Sequence, residues 1–151
     1  MTHEELHAFI SAHPLAVVAS QSREGEPQSA LVGIAVTSRL ELVFDTLKSS
    51  RKYANLKSNP ACSFVIGCSG DITIQFEGVA EEITDSTPAR FRETYFQQWP
   101  GGRTRAKWAE ITWFVVRPRW LRYSDYGQDP DYIEEMRFDE PISSASSNAR
   151  A

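Results

Sequence analysis

The sequence predicts a mainly β fold: about six short antiparallel strands wound into a closed or partly open barrel, with peripheral helices between them. Three observations carry this. Short runs place apolar side chains on one side, as with Leu40, Leu42 and Phe44 against Glu41, Val43 and Asp45, which is the period of a strand with a buried face. Turn residues punctuate these runs, at Gly25-Glu26-Pro27 and between Gly67 and Gly70. Strands and helices nowhere alternate regularly, as a doubly wound parallel sheet would require.

The elements follow in order. Thr2 and Glu5 have the spacing of a capping box. Leu6, Phe9 and Ile10 continue at helical spacing, so a short helix is expected to about Ala12, ended by His13-Pro14. Leu15 to Ser20, Gln28 to Thr37 and Leu40 to Thr46 read as three strands joined by short turns. Ser49 or Ser50 can cap a helix that sends Tyr53 and Leu56 to the core and stops at Asn59-Pro60. Ala61 to Ile66 is a buried strand. Asp71 to Ile83 is a longer one, in which Gly78 points to a bulge or a close backbone approach. Asp85 or Ser86 is expected to cap a helix with Pro88 near its start and an apolar stripe of Phe91, Tyr95 and Phe96. Trp99 to Gly102 reads as a loop. Ile111 to Val116 is a strand that Arg117-Pro118 ends, and Trp120 to Tyr123 a short strand beyond. Pro141 to Ala151 is rich in Ser and Ala, as a frayed tail is.

Composition excludes several classes. With 151 residues, one domain is the default. Sixteen basic residues against twenty acidic ones, a net charge of −4, do not suit a general nucleic-acid binder. Cys62 and Cys68 fit neither a redox pair nor a zinc set and are expected to be buried free thiols. The histidines are His3, His7 and His13, and no cluster has metal-ligand spacing, so no metal site is assigned. No apolar run approaches the length of a membrane span. The opening Met1-Thr2-His3-Glu4-Glu5 lacks the basic start of a secretory signal, so a cytoplasmic location is expected. Glu134 and Glu135 are neighbours that diverge on a helix, and no acid/base dyad or nucleotide fingerprint stands out; no catalytic residue is assigned.

The segment with chemical content runs from Phe44-Asp45-Thr46 to Ser49-Ser50-Arg51-Lys52. A strand ends in a hydroxyl, and a helix then starts with hydroxyls and two cations. A helix start offers free N–H groups and the positive end of a dipole, so cations there oppose the dipole unless an anion sits between them. The arrangement suits a phosphate monoester. Local physics equally accommodates a solvated pair of surface charges. A second stretch, Trp99 to Trp108, interleaves cations with aromatics; it reads as a ligand loop, the rim of a pocket, or a solvated loop with its tryptophans on the core.

Gly25-x-Pro27, Phe44-Asp45-Thr46, Ser50-Arg51-Lys52, Asn55-Leu56, Asn59-Pro60 and Gln75-Phe76-Glu77-Gly78-Val79-Ala80, in this order, resemble the pyridoxamine 5′-phosphate oxidase-like family over about Leu15 to Tyr123. The resemblance implies a six-stranded antiparallel split β-barrel over residues 1–138, with 139–151 a flexible tail, and a homodimer that binds FMN at the subunit interface. By position, Thr46, Ser50, Arg51 and Lys52 would hold the phosphate and ribityl chain. Phe44 and Asp45 would bring backbone to the flavin ring, Thr73 or Gln75 would neighbour the ring edge, and Trp113 would approach from the partner subunit. The chain departs from the name-giving oxidase at Ala30 and Ala35, where that enzyme has basic residues, and it has no histidine after His13 to complete the oxidase's Arg-x-His motif. Oxidation of pyridoxamine phosphate itself is therefore not expected. The resemblance implies an FMN-dependent oxidoreductase acting on a small molecule. The alternatives are a non-catalytic flavin-binding protein of stress or sensing, or a relative that uses haem or a deazaflavin.

Overall fold

A computed structural model describes residues 1–139. The expected tail at 139–151, beyond its first residue, lies outside the described residues. Among the described residues seven strands form one antiparallel sheet: β1 Leu15–Gln21, β2 Pro27–Val36, β3 Leu42–Leu47, β4 Ala61–Ile66, β5 Ile72–Glu82, β6 Ile111–Asp125 and β7 Tyr132–Arg137. Their order is β3-β2-β1-β4-β5-β6-β7, and a further β3–β6 pairing closes the first six into a barrel, leaving β7 as a flap on β6. The mainly β barrel is thus the observed fold.

Inward side chains fill the barrel. Phe44, Phe64, Phe76 and Phe114 are all 2% exposed or less. Their rings meet edge-on or offset, with Phe44 5.9 Å from Phe64 and 5.7 Å from Phe114, contacts worth about 0.5–1.5 kcal/mol each beyond burial. The helix α1 (His3–Ala12), with the expected capping box of Thr2 and Glu5, closes one end through Leu6 and Ile10. A second helix, α2 (Arg51–Ser58), packs at the end of β1 and β3 with Leu56 in the core. The stripe of Phe91, Tyr95 and Phe96 on α3 (Arg90–Gln98) covers a separate cluster outside the barrel, with Ala35, Val43, Trp113 and Val115.

Several expectations change. β3 begins at Leu42, because Leu40 takes a left-handed backbone (φ 62°) in the turn before it. That conformation is costly for a leucine, and its complete burial in the core holds it there. Neither Asp85 nor Ser86 caps α3. The hydroxyls of Thr84, Ser86 and Thr87 bond within their own turn, and Ala89 precedes the helix without a side-chain cap. Part of the expected loop is a single helical turn, α4 (Gly102–Arg105).

Pro118 does not end β6, which is 15 residues long and runs on to Asp125. The register shifts between Glu77 and Gly78, so that Gly78 faces Pro118 and Arg119 is the extra residue. The bulge absorbs the missing proline donor. At the same place a Cβ on Gly78 would lie 2.5 Å from the Arg117 carbonyl oxygen, so both readings of that glycine hold together. Glu134 and Glu135 lie on strand β7, not a helix. Cys62 is buried, and burial pushes its thiol up to about 12, but Cys68 is exposed on the β4–β5 turn. No helix among the described residues is long and apolar enough to cross a membrane, and none of their His, Cys, Asp and Glu side chains cluster to hold a metal.

Candidate functional site

The site is built where β3 runs into α2. Ser50 caps the helix by accepting from the Tyr53 N–H. It also shares a 2.8 Å hydrogen bond with the Thr46 hydroxyl, and Lys52 Nζ donates to Thr46 at 3.4 Å. A strand end, a cap and a cation are thereby locked together within one turn. Below them, Glu82 of β5 accepts from Thr112, Lys57 and Tyr53. This anchors α2 to the barrel wall. Tyr53 packs edge-on against Phe114 at 6.0 Å.

Two hollows flank the start of α2, and Lys52 lines both. The first, about 110 Å³, lies among Val18, Ser20, Gln28, Ser29, Ala30 and Arg51. The second is larger, about 310 Å³. Its walls are Leu31 to Gly33 of β2, Asp45 to Leu47 of β3, Ser50, Arg105, Trp108 and Ile111. Burial lowers the Lys52 ammonium below its ordinary range, partly opposed by the charge of Asp45. That carboxylate is already taken: Arg105 Nε donates to Asp45 Oδ2 at 3.0 Å. Among the described residues no carboxylate lies within salt-bridge distance of Arg51 or Lys52. A half-buried cation with no counter-ion is a place for an anion.

The loop of alternating cations and aromatics forms the far wall. Trp99 Nε1 donates to the Ile34 carbonyl at 2.9 Å, and the ring lies so close to β2 that a Cβ on Gly33 would meet it at 2.9 Å. Arg105, besides Asp45, donates to the Tyr95 hydroxyl at 3.0 Å. Burial and the nearby Asp45 push that phenol up to about 12. Trp108 remains 53% exposed at the rim of the larger hollow.

Of the residues singled out in the sequence, the structure brings Asp45, Thr46, Ser50, Arg51 and Lys52 together around these hollows. Phe44 adjoins them, but its side chain is wholly buried in the core, so only its backbone can face a ligand. Thr73 and Gln75 line neither hollow. They lie on the outer face of β5, where Gln75 pairs with Val65 and Arg122. Trp113 is 5% exposed beneath α3, its ring against Tyr95 and Phe96, with Arg92 stacked on it and Nε1 unpartnered. Sequence reasoning missed Ser20 and Gln28 entirely. They are a cross-strand pair that only the β1–β2 register reveals.

Solved structures share this architecture. A heme-binding protein from Mycobacterium smegmatis superposes with a TM-score of 0.76 at 17% identity; the alignment covers 89% of this chain and 57% of that one. General stress protein 26 from Bacillus anthracis gives 0.69 at 20% identity, covering 90% and 98%. A pyridoxamine 5′-phosphate oxidase-related, FMN-binding protein from Nostoc punctiforme gives 0.63 at 10% identity, covering 91% of each. At these identities the likeness is one of fold. No curated protein matches by sequence. The family model described as pyridoxamine 5′-phosphate oxidase matches residues 2–125, which takes in all six barrel strands and both flanks of the α2 hollows. The chain belongs to the pyridoxamine 5′-phosphate oxidase-like family.

Proposed function

We propose that this protein binds FMN in the two hollows beside α2 and acts as a flavin-dependent oxidoreductase on a small molecule. The observation that carries the reading is the unneutralised pair Arg51 and Lys52 at the start of α2, with Lys52 shared between a small polar hollow and a larger, partly apolar one. A phosphate monoester needs several donors and positive charge in little space, which the smaller hollow supplies. A flat ring needs an open, mostly apolar wall, and the larger hollow has Leu31, Ile111 and Trp108. The chemistry that bound FMN supplies is electron transfer; the chain's own residues bind, orient and shield it. Arg105 pairs with Asp45 and so weakens the repulsion of this carboxylate for an anion beside Lys52. The FMN-binding relative supports this choice of ligand.

The reading extends to a homodimer. The outer face of β2-β1-β4 carries Leu31, 66% exposed, and Val65, 42% exposed, either side of Val17, with Leu15 two residues along. Apolar side chains in one row mark an interaction surface. Leu31 belongs both to this row and to the larger hollow. A partner seated here adjoins the flavin, and Gln75, next in the row, is carried into the interface.

The test is the visible absorption spectrum of the purified protein, with mass spectrometry of whatever heat releases. Released FMN, or a flavin spectrum on adding FMN, is the expected result. Arg51→Ala with Lys52→Ala removes two charge-assisted contacts of about 1.5–3 kcal/mol each, so FMN affinity falls at least ~100-fold. A colourless protein that binds no added FMN overturns the proposal. Turnover is read separately, as NAD(P)H consumption by the FMN-loaded protein with a panel of acceptors. No consumption with any of them leaves a flavin-binding protein without oxidoreductase activity.

A further inference from the structure

Asn55 is buried in the middle of α2, 7% exposed, and its amide nitrogen donates twice: to Ser20 Oγ at 3.0 Å and to Gln28 Oε1 at 3.0 Å. Ser20 and Gln28 are direct cross-strand partners on β1 and β2, and both line the smaller hollow. These two bonds fix the polarity of the hollow. A serine oxygen that accepts from Asn55 has its own hydrogen left to give, and a glutamine whose carbonyl oxygen is occupied presents its NH2 group. Among the described residues neither the Ser20 hydroxyl hydrogen nor the Gln28 amide hydrogens have an acceptor. Arg51 and Lys52 line the same hollow with groups that can only donate.

We propose that Ser20 and Gln28 are ligand-binding residues and Asn55 the positioning residue that turns their donors outward, making the smaller hollow a donor-rich receptor for the terminal phosphate of the flavin. This rests on the function proposed above and makes these three residues the ones that select FMN over riboflavin. It also accounts for Ala30, which lines the same hollow where the name-giving oxidase carries a cation: two neutral donors stand on the neighbouring cross-strand pair instead.

The experiment titrates the full chain and three variants, Ser20→Ala, Gln28→Ala and Asn55→Asp, with FMN and riboflavin by flavin fluorescence, and with inorganic phosphate by calorimetry. Each alanine variant is expected to lower the FMN-to-riboflavin affinity ratio about tenfold, the worth of one hydrogen bond to a charged group. Riboflavin affinity stays as it was. Asn55→Asp lowers the ratio further, because a carboxylate draws both donors inward and adds negative charge beneath the phosphate. A merely structural role for these residues would weaken both flavins alike. Far-UV circular dichroism and the melting temperature check each fold, and Gln28→Glu, of equal size with no amide hydrogens, serves where an alanine variant does not fold. An unchanged ratio in variants that still bind FMN overturns this inference and leaves the proposed function standing. A wild-type chain that binds phosphate but no flavin, and loses the phosphate in Asn55→Asp, keeps the donor pocket and refutes the flavin. Binding of neither overturns both.

Discussion

Glu82 shows how single residues hold the site in shape. Burial raises its carboxyl, but hydrogen bonds from Thr112 and Lys57, the Lys57 charge and the Tyr53 hydroxyl outweigh this and hold it below the usual carboxylate range. Such a group contributes stability that is full above its unfolded value of about 4.5 and is lost as pH falls through the lower folded value. Denaturant unfolding followed by circular dichroism from pH 7 downward should therefore show a loss of stability beginning below about pH 4.5. Glu82→Gln should be less stable at neutral pH and lose less on acidification. An unaltered acid limb in the variant refutes Glu82 as its source. Because Tyr53 and Lys57 lie on α2, the same loss loosens the helix that carries Arg51 and Lys52. At this scale the sequence was informative where neighbours in the chain are neighbours in space. Thr46, Ser50, Arg51 and Lys52 span seven positions and meet through one turn and one cap. Ser20, Gln28 and Asn55 are as close in space, yet come from three elements whose meeting depends on register.

Among the elements, β6 departs furthest from its local signals. A proline within an apolar run ordinarily ends a strand, because it cannot donate to the ladder. Here a residue on the paired strand, Gly78, allows the chain to pass: the register slips and Arg119 is accommodated. A Cβ at position 78 would collide with the Arg117 carbonyl at 2.5 Å, with backbone that cannot step aside as a side chain does. Gly78→Ala should cost about 1–3 kcal/mol of folding stability, as overpacking does, measured by urea denaturation at equilibrium. A change within a few tenths of a kcal/mol contradicts the close approach. The same logic explains which elements were legible. The capping box of α1, the serine cap of α2 and the alternation of β4 and β5 are local signals that tertiary packing reinforces. The start of β3 and the length of β6 were set by distant partners: the core pocket that holds Leu40 in a left-handed backbone, and the bulge opposite Pro118.

For the whole molecule, the row of Leu31, Val17 and Val65 on the outer sheet gives the proposed homodimer a direct test. Light scattering should give the FMN-loaded wild type twice the chain mass of 17.0 kDa. Leu31→Lys with Val65→Lys sets like charges on an apolar interface and should return it to a monomer with weakened flavin binding. A wild-type mass of 17.0 kDa in the loaded state overturns the interface.

The closure of the barrel has a consequence for how the chain reaches its shape. β3 and β5 are both edges until β6 arrives, since β6 pairs with β3 from Ile111 to Val116 and with β5 along nearly its whole length. Contacts that join positions some seventy residues apart form late, because a long loop must be closed before they return any free energy. During synthesis the first five strands therefore emerge with two unpaired borders, rich in the apolar side chains that will face the core. A newly made chain is most prone to self-association in this interval, and completion of a single strand ends it.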